Sequence, residues 1–193
     1  MILRTRVGGL MSIEFICGEV ARIIKEYDED DPYKLCQSMK ILLFFEAMGN
    51  FPKACKGFYL SQSRKQVITI NSDLPEELQR IIAMHEIAHA VLHRKLSSVK
   101  AFHDFALFDE TSVYEYEANI FAADYLLADD VVLNLLNDDL FFFGAASRLN
   151  VPAELLDFKF RVLKRKGYKI IDPPIMSNSD FLKKVKGLGD RNG

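Results

Sequence analysis

The chain has no tryptophan, and its three cysteines, Cys17, Cys36 and Cys55, are odd in number and widely spaced, with no Cys-x-x-Cys pair. A disulfide framework is therefore not expected; the usage is that of reduced, partly buried thiols in a cytoplasm. Nothing near any of the three marks a catalytic cysteine. Long apolar runs are missing too. The densest cluster, Ile41-Leu42-Leu43-Phe44-Phe45, falls far short of the roughly 20 residues a membrane helix needs. Met1 to Ser12 carries Arg4 and Arg6 but no apolar stretch long enough for a signal peptide. Charge of one sign is also lacking: 25 Lys and Arg against 27 Asp and Glu give a formal net charge of −2, so no global field recruits nucleic acid or membrane. Repeats and low-complexity stretches are absent.

What remains is a globular composition, 193 residues with 49% apolar and 27% charged side chains, enough for one domain with a proper core, or one domain and a small appendage. Its most informative stretch is Met84-His85-Glu86-Ile87-Ala88-His89-Ala90-Val91-Leu92-His93, which holds one His-Glu-x-x-His motif. Residues four apart on a helix share a face. His85 and His89 can thus offer two imidazoles to one zinc ion, at about 2.0–2.1 Å each. Glu86 is too close in sequence to be a third ligand and well placed to take a proton from zinc-bound water. Glu76, Glu77, Leu78, Ile81, Ile82, Ile87 and Val91 carry an amphipathic helical pattern through the motif. Pro75 sits at a first-turn position, with Asp73 as a candidate cap. His93 continues the histidine stripe and reads as a helix end or core edge.

A catalytic zinc usually keeps three protein ligands and one open position. The helix expected over Thr111–Leu127 offers Glu115 and Glu117, which point to opposite sides because they are two residues apart. The Glu115 face continues through Ala118, Asn119 and Ala122, small residues that permit close approach to Ala88 on the motif helix. Asn119, one turn beyond Glu115, is suited to hold a ligand histidine by its second nitrogen. Glu115 is the expected third ligand and Glu117 the alternative.

Around these two helices the pattern is mixed. Ser12–Tyr27 is an amphipathic helix, Asp28 to Asp31 a solvated turn, and Pro32 the start of a second helix that gives way to extended chain within Leu35–Met48. Gly57–Gln62 and Gln66–Ile70 are strands joined at Ser63-Arg64-Lys65, a hairpin leading into the motif helix. A strand along the cleft would offer backbone groups to an extended peptide. Ser97–Asp109 has no clean period and reads as a mobile loop or short helix, in which His103 is either a surface residue or a substrate-polarising group.

A hairpin ending Ile-x-Ile-Asn, then HEIAH-Ala-Val-Leu-His, then Glu-x-x-Ala-Asn-x-Phe-Ala-Ala-x-x-Leu-Leu, at Glu115 to Leu127, resembles the ImmA/IrrE family of metallopeptidases over roughly Ser12 to Leu127. Ala88 stands where the family often has glycine, and Ala128-Asp129-Asp130 where it often has proline. The resemblance implies that His85, His89 and Glu115 bind zinc and that Glu86 is the catalytic base. It further implies a prophage or mobile-element protein that cleaves a cognate transcriptional repressor.

The expected fold is α+β and zincin-like, a small antiparallel sheet packed on the motif helix with a C-terminal helical extension. The expected organisation is a loose N-terminal extension over 1–11, a zinc peptidase domain over 12–128, a helical extension over 129–170 and a flexible tail over 171–193. Short helices are expected over Asp130–Asn137 and Leu140–Leu149, and a longer one from Pro152 to about Lys166. The last two resemble a helix–turn–helix, with Lys159, Arg161, Lys164, Arg165 and Lys166 on the second helix. This unit is either a lid or docking element or, less favoured, a DNA reader. The leading expectation is a cytoplasmic zinc endopeptidase acting on a helix–turn–helix repressor. The competing ones are a non-hydrolytic regulator on a peptidase scaffold and a DNA-binding regulator.

Overall fold

The computed structural model describes residues 6–7, 10–51, 54–94, 102–104, 112–137 and 141–171. A short pair of strands, β1 (Arg6–Val7) and β2 (Leu10–Met11), precedes helix α1 (Ile13–Tyr27). Met11, placed by the sequence at the end of a loose extension, is 5% exposed and packs in the core. Ser12 caps α1 by accepting from the Phe15 N–H at 3.2 Å, and Asp28 ends it in the left-handed region at φ 48°. Ile16, Val20 and Ile23 are the buried stripe. The acidic turn then caps α2 (Pro32–Ser38): the Asp31 carboxylate accepts from the Tyr33 and Lys34 N–H groups, with Pro32 in the first turn.

The chain next forms β3 (Leu42–Glu46), the hairpin β4 (Gly57–Gln62) and β5 (Lys65–Asn71), and helix α3 (Glu76–Leu92). Pro75 is itself the cap residue of α3 and makes no side-chain cap bond; Asp73, the expected cap, instead accepts from the Gly49 N–H at 2.6 Å. A three-residue strand, β6 (Phe102–Asp104), lies within the segment expected as loop or helix, and His103 pairs with Phe58 there. The His103 side chain is outside the described residues.

The sheet order is β3-β5-β4-β6. It is mixed rather than antiparallel, because β3 runs parallel to β5, Leu42 opposite Val67 through Glu46 opposite Asn71. A parallel neighbour needs a crossover, and the route from β3 to β5 makes one through β4. The hairpin pattern alone could not reveal it. Tyr59, Ile68 and Ile70 are fully buried beneath α3, which packs on β4 and β5 on one side and on helix α4 (Val113–Leu126) on the other. The closeness of α3 and α4 follows from Ala88, Ala118 and Ala122, each no more than 1% exposed. Helices α5 (Asp129–Asn137), α6 (Phe142–Arg148) and α7 (Ala153–Arg165) are the last elements among the described residues. Helix α7 lies against α4, α6 and α1. The α+β class is as expected, and no described helix is long and apolar enough to cross a membrane.

Candidate metal centre

Helix α3 buries its second half on every side, so the motif histidines are held inside the protein rather than on a solvent face. His85 and His89 are 1% and 0% exposed, and Glu86 is fully buried. The helix-turn spacing stacks the two rings edge to face with centroids 4.9 Å apart. Their Nε2 atoms stand 3.1 Å from each other. From α4, Glu115 brings Oε2 to 2.9 Å from the first and 3.5 Å from the second. Three donors bound tetrahedrally at about 2.0–2.1 Å would be separated by about 3.3 Å, so these spacings fit one ion. Among the described residues, His85, His89 and Glu115 form the group able to hold a metal, their ligand atoms all within 4.8 Å of one another.

The electrostatics agree with that use. Burial pushes the His89 pKa down to about 4, helped by its histidine neighbours and opposed by the Glu115 hydrogen bond. The imidazole is then neutral at pH 7, the form that coordinates metal. Burial alone would raise the Glu115 carboxyl. The His85 and His89 hydrogen bonds and charge interactions outweigh it and hold the group well below the usual carboxylate range.

The outer nitrogens are also engaged. His85 Nδ1 lies 2.9 Å from Asn119 Oδ1, one turn along α4 from Glu115. His89 Nδ1 lies 2.9 Å from His93 Nδ1, and His93 Nε2 lies 2.8 Å from Glu117 Oε2. The other Glu117 oxygen accepts from the Met11 N–H at 2.5 Å. Glu117 does not turn away from α3, as an offset of about 200° around a helix would suggest; it reaches one turn further along, to His93. His93 and Glu117 are both fully buried. The sequence signal for His93 was its i+4 spacing from His89, which extends the histidine face by a turn. Nothing local pointed to Met11, 106 residues from its partner.

Glu86 faces the sheet. Gly57, at the start of β4, leaves the space there: a Cβ on it would stand 2.6 Å from Ile82 Cγ2, 3.0 Å from the Thr69 carbonyl oxygen and 3.7 Å from Glu86 Oε1. This glycine was not singled out by the sequence reading.

The basic residues of α7 are drawn inward or paired. Lys159 is fully buried, 2.7 Å from Asp124 and 2.5 Å from Asp129. Lys166 bonds the same two aspartates. Arg161 bonds Asp157 at 2.7 Å and lies over the Phe158 ring, 4.9 Å from its centroid. Arg165 pairs with Glu14 of α1. Lys159, Lys166 and Arg165 tie the chain's last described helix to α4, α5 and α1, while Arg161 pairs within α7; each of these four cations already has a carboxylate partner.

Residues 36–161 match the Peptidase_M78 family, described as the IrrE N-terminal-like domain. The chain is 34% identical over 140 residues to "Uncharacterized immunity region protein 2" of Bacillus phage phi105, covering 72% of this chain and 85% of that one. It is 24% identical over 147 residues to "Metallopeptidase ImmA" of Bacillus subtilis strain 168, covering 73% and 81%.

Proposed function

The chain belongs to the Peptidase_M78 family, a family of metallopeptidases, and from that premise we propose that it is a cytoplasmic zinc endopeptidase of zincin type that cleaves a transcriptional repressor. The observation that carries the reading is the convergence of His85 Nε2, His89 Nε2 and Glu115 Oε2 within 4.8 Å, with Glu86 on the same helix turn. Two imidazoles and one carboxylate with an open fourth position are the donor set of a catalytic rather than a structural zinc. The repressor as substrate is supported by the phage immunity-region relative.

In this reading His85, His89 and Glu115 hold the ion, and Asn119 accepts from His85 Nδ1–H to keep Nε2 turned inward. When bound, zinc supplies Lewis-acid polarisation of the scissile carbonyl and lowers the pKa of water toward about 7. Glu86 takes the proton from the attacking water and returns it to the leaving amine, so one carboxylate serves as base and then acid. Burial of Glu86 keeps bulk water from competing for that proton. The burial of Lys159 against Asp124 and the carboxylate partners already held by Arg161, Arg165 and Lys166 favour a docking or closing role for α6 and α7 over DNA reading.

Metal content tests the centre. His85→Ala, His89→Ala and Glu115→Ala should each leave purified protein without stoichiometric zinc, while Glu117→Ala keeps it at saturating zinc. Loss of metal by Glu117→Ala with retention by Glu115→Ala would exchange the two glutamates.

A further inference from the structure

We propose that Glu117 and His93 are positioning residues that fix the tautomer of His89, forming a directed hydrogen-bond chain anchored by the backbone of Met11. The inference rests on the metal-centre reading above and concerns residues that reading does not use.

The direction follows from donor and acceptor bookkeeping. A histidine that coordinates through Nε2 carries its proton on Nδ1. His89 Nδ1 faces His93 Nδ1 at 2.9 Å, and two ring nitrogens can bond only if one donates and the other accepts. His89 donates, so His93 Nδ1 accepts and the His93 proton sits on Nε2. That proton points at Glu117 Oε2, 2.8 Å away, which accepts it. The Met11 N–H then donates to Glu117 Oε1 at 2.5 Å, so the carboxylate meets a donor at each oxygen. Every member agrees with the sense set at His89, and neither histidine need change its charge.

Burial makes this more than a packing pair. His93 and Glu117 are 0% exposed, and a buried polar group without partners is costly. The Met11 amide also makes β2, the strand ahead of α1, part of the scaffold of the centre.

The chain predicts an unusual sensitivity to a shape-conserving change. Glu117→Gln has one oxygen and one NH2. With its oxygen toward the Met11 N–H, the NH2 confronts His93 Nε2, which must then accept. The His93 proton moves to Nδ1, His89 Nδ1 must accept in turn, and the His89 proton ends on Nε2, the atom meant for the metal. With the amide reversed, two donors collide at Met11. His93→Gln, by contrast, can accept at one end and donate at the other, whereas His93→Phe keeps a ring and does neither.

The experiment uses the full chain, stripped of metal. It measures zinc affinity by competition with a chromophoric chelator, the visible spectrum after loading with cobalt, and the metal-free melting temperature. Glu117→Gln and His93→Phe should weaken zinc binding about 10- to 100-fold and alter the cobalt spectrum, with His93→Gln close to wild type. A merely structural pair would lower the melting temperature and leave both metal readouts unmoved. Wild-type zinc affinity in Glu117→Gln overturns the proposal, as does a His93→Gln variant that falls as far as His93→Phe. The histidine pair decides the matter if the glutamine variant does not fold. Failure of the wild-type chain itself to bind zinc would remove the metal centre and this chain with it; an unchanged Glu117→Gln beside a zinc-binding wild type removes this chain alone.

Discussion

Gly57→Ala is the smallest change that should disturb both the fold and the chemistry. The position is not in the left-handed region, so the obstacle is space. The added Cβ would lie 2.6 Å from Ile82 Cγ2, against about 3.5–4.0 Å for comfortable carbon contact, so about 1 Å must be found. The Thr69 carbonyl oxygen, 3.0 Å away on the other side, belongs to the paired strand β5. Gly57 is itself locked in register opposite Ile70. The sheet cannot yield easily, and α3 must lift. Overpacking of this kind costs about 1–3 kcal/mol, which for a chain of this length lowers the melting temperature by about 2–12 °C. The lift occurs beside Glu86, the proposed general base, and a 1 Å misplacement of such a group costs on the order of 10²-fold in rate. Zinc content should stay stoichiometric, because all three proposed ligands are on α3 and α4. Thermal melts followed by circular dichroism, zinc analysis and cleavage of the proposed repressor substrate on co-expression read the three quantities. A Gly57→Ala chain that melts with wild type and cleaves at the wild-type rate would refute the tight fit of α3 on β4.

Two further outcomes concern the attachment of the C-terminal helices. Lys159→Met removes a fully buried charge from between Asp124 and Asp129; breaking such a pair costs about 3–5 kcal/mol. The lower end is expected in urea unfolding, because Lys166 still lies 2.9 Å from Asp124. The same network sets a pH window. Burial would raise the Asp129 carboxyl, but the two lysines hold it below the ordinary aspartate value of 3.8. Its contribution is therefore complete above that pH and lost as pH falls through the lower folded value. Burial would lower Lys166, but the two aspartates hold it above 10.5, so its contribution is complete below that pH and lost as pH rises through the higher folded value. Stability from this network should be flat between about pH 5 and 9, and Asp129→Asn should remove part of the acid limb; an unchanged acid limb would count against the network.

Helix α3 was legible because its signals are local. Four-residue spacing places His85 and His89 on one face, and the small residues Ala118 and Ala122 beside Asn119 foretold a close α3–α4 contact with Glu115 on the near side. The starts of α1 near Ser12 and of α2 at Pro32 were readable for the same reason. What escaped depends on partners far apart in sequence. The parallel pairing of β3 with β5 leaves no trace in the period of either strand. Asp73 looked like a helix cap and serves a loop N–H at Gly49 instead. The basic run on α7 looked like an exposed face until its partners Asp124, Asp129 and Glu14 were placed beside it. His93 does stand at the end of α3, as read, but its bonds to Glu117 and through it to Met11 escaped, because those partners come from elsewhere in the chain.

Glu86→Gln tests the central claim most directly. The amide keeps the shape of the side chain and cannot take a proton, so the variant should bind one zinc per chain as wild type does. Repressor cleavage on co-expression should fall by about 10²–10⁴-fold, the usual contribution of a positioned general base. Cleavage continuing at the wild-type rate would contradict the peptidase account and leave a metal-binding regulator in its place.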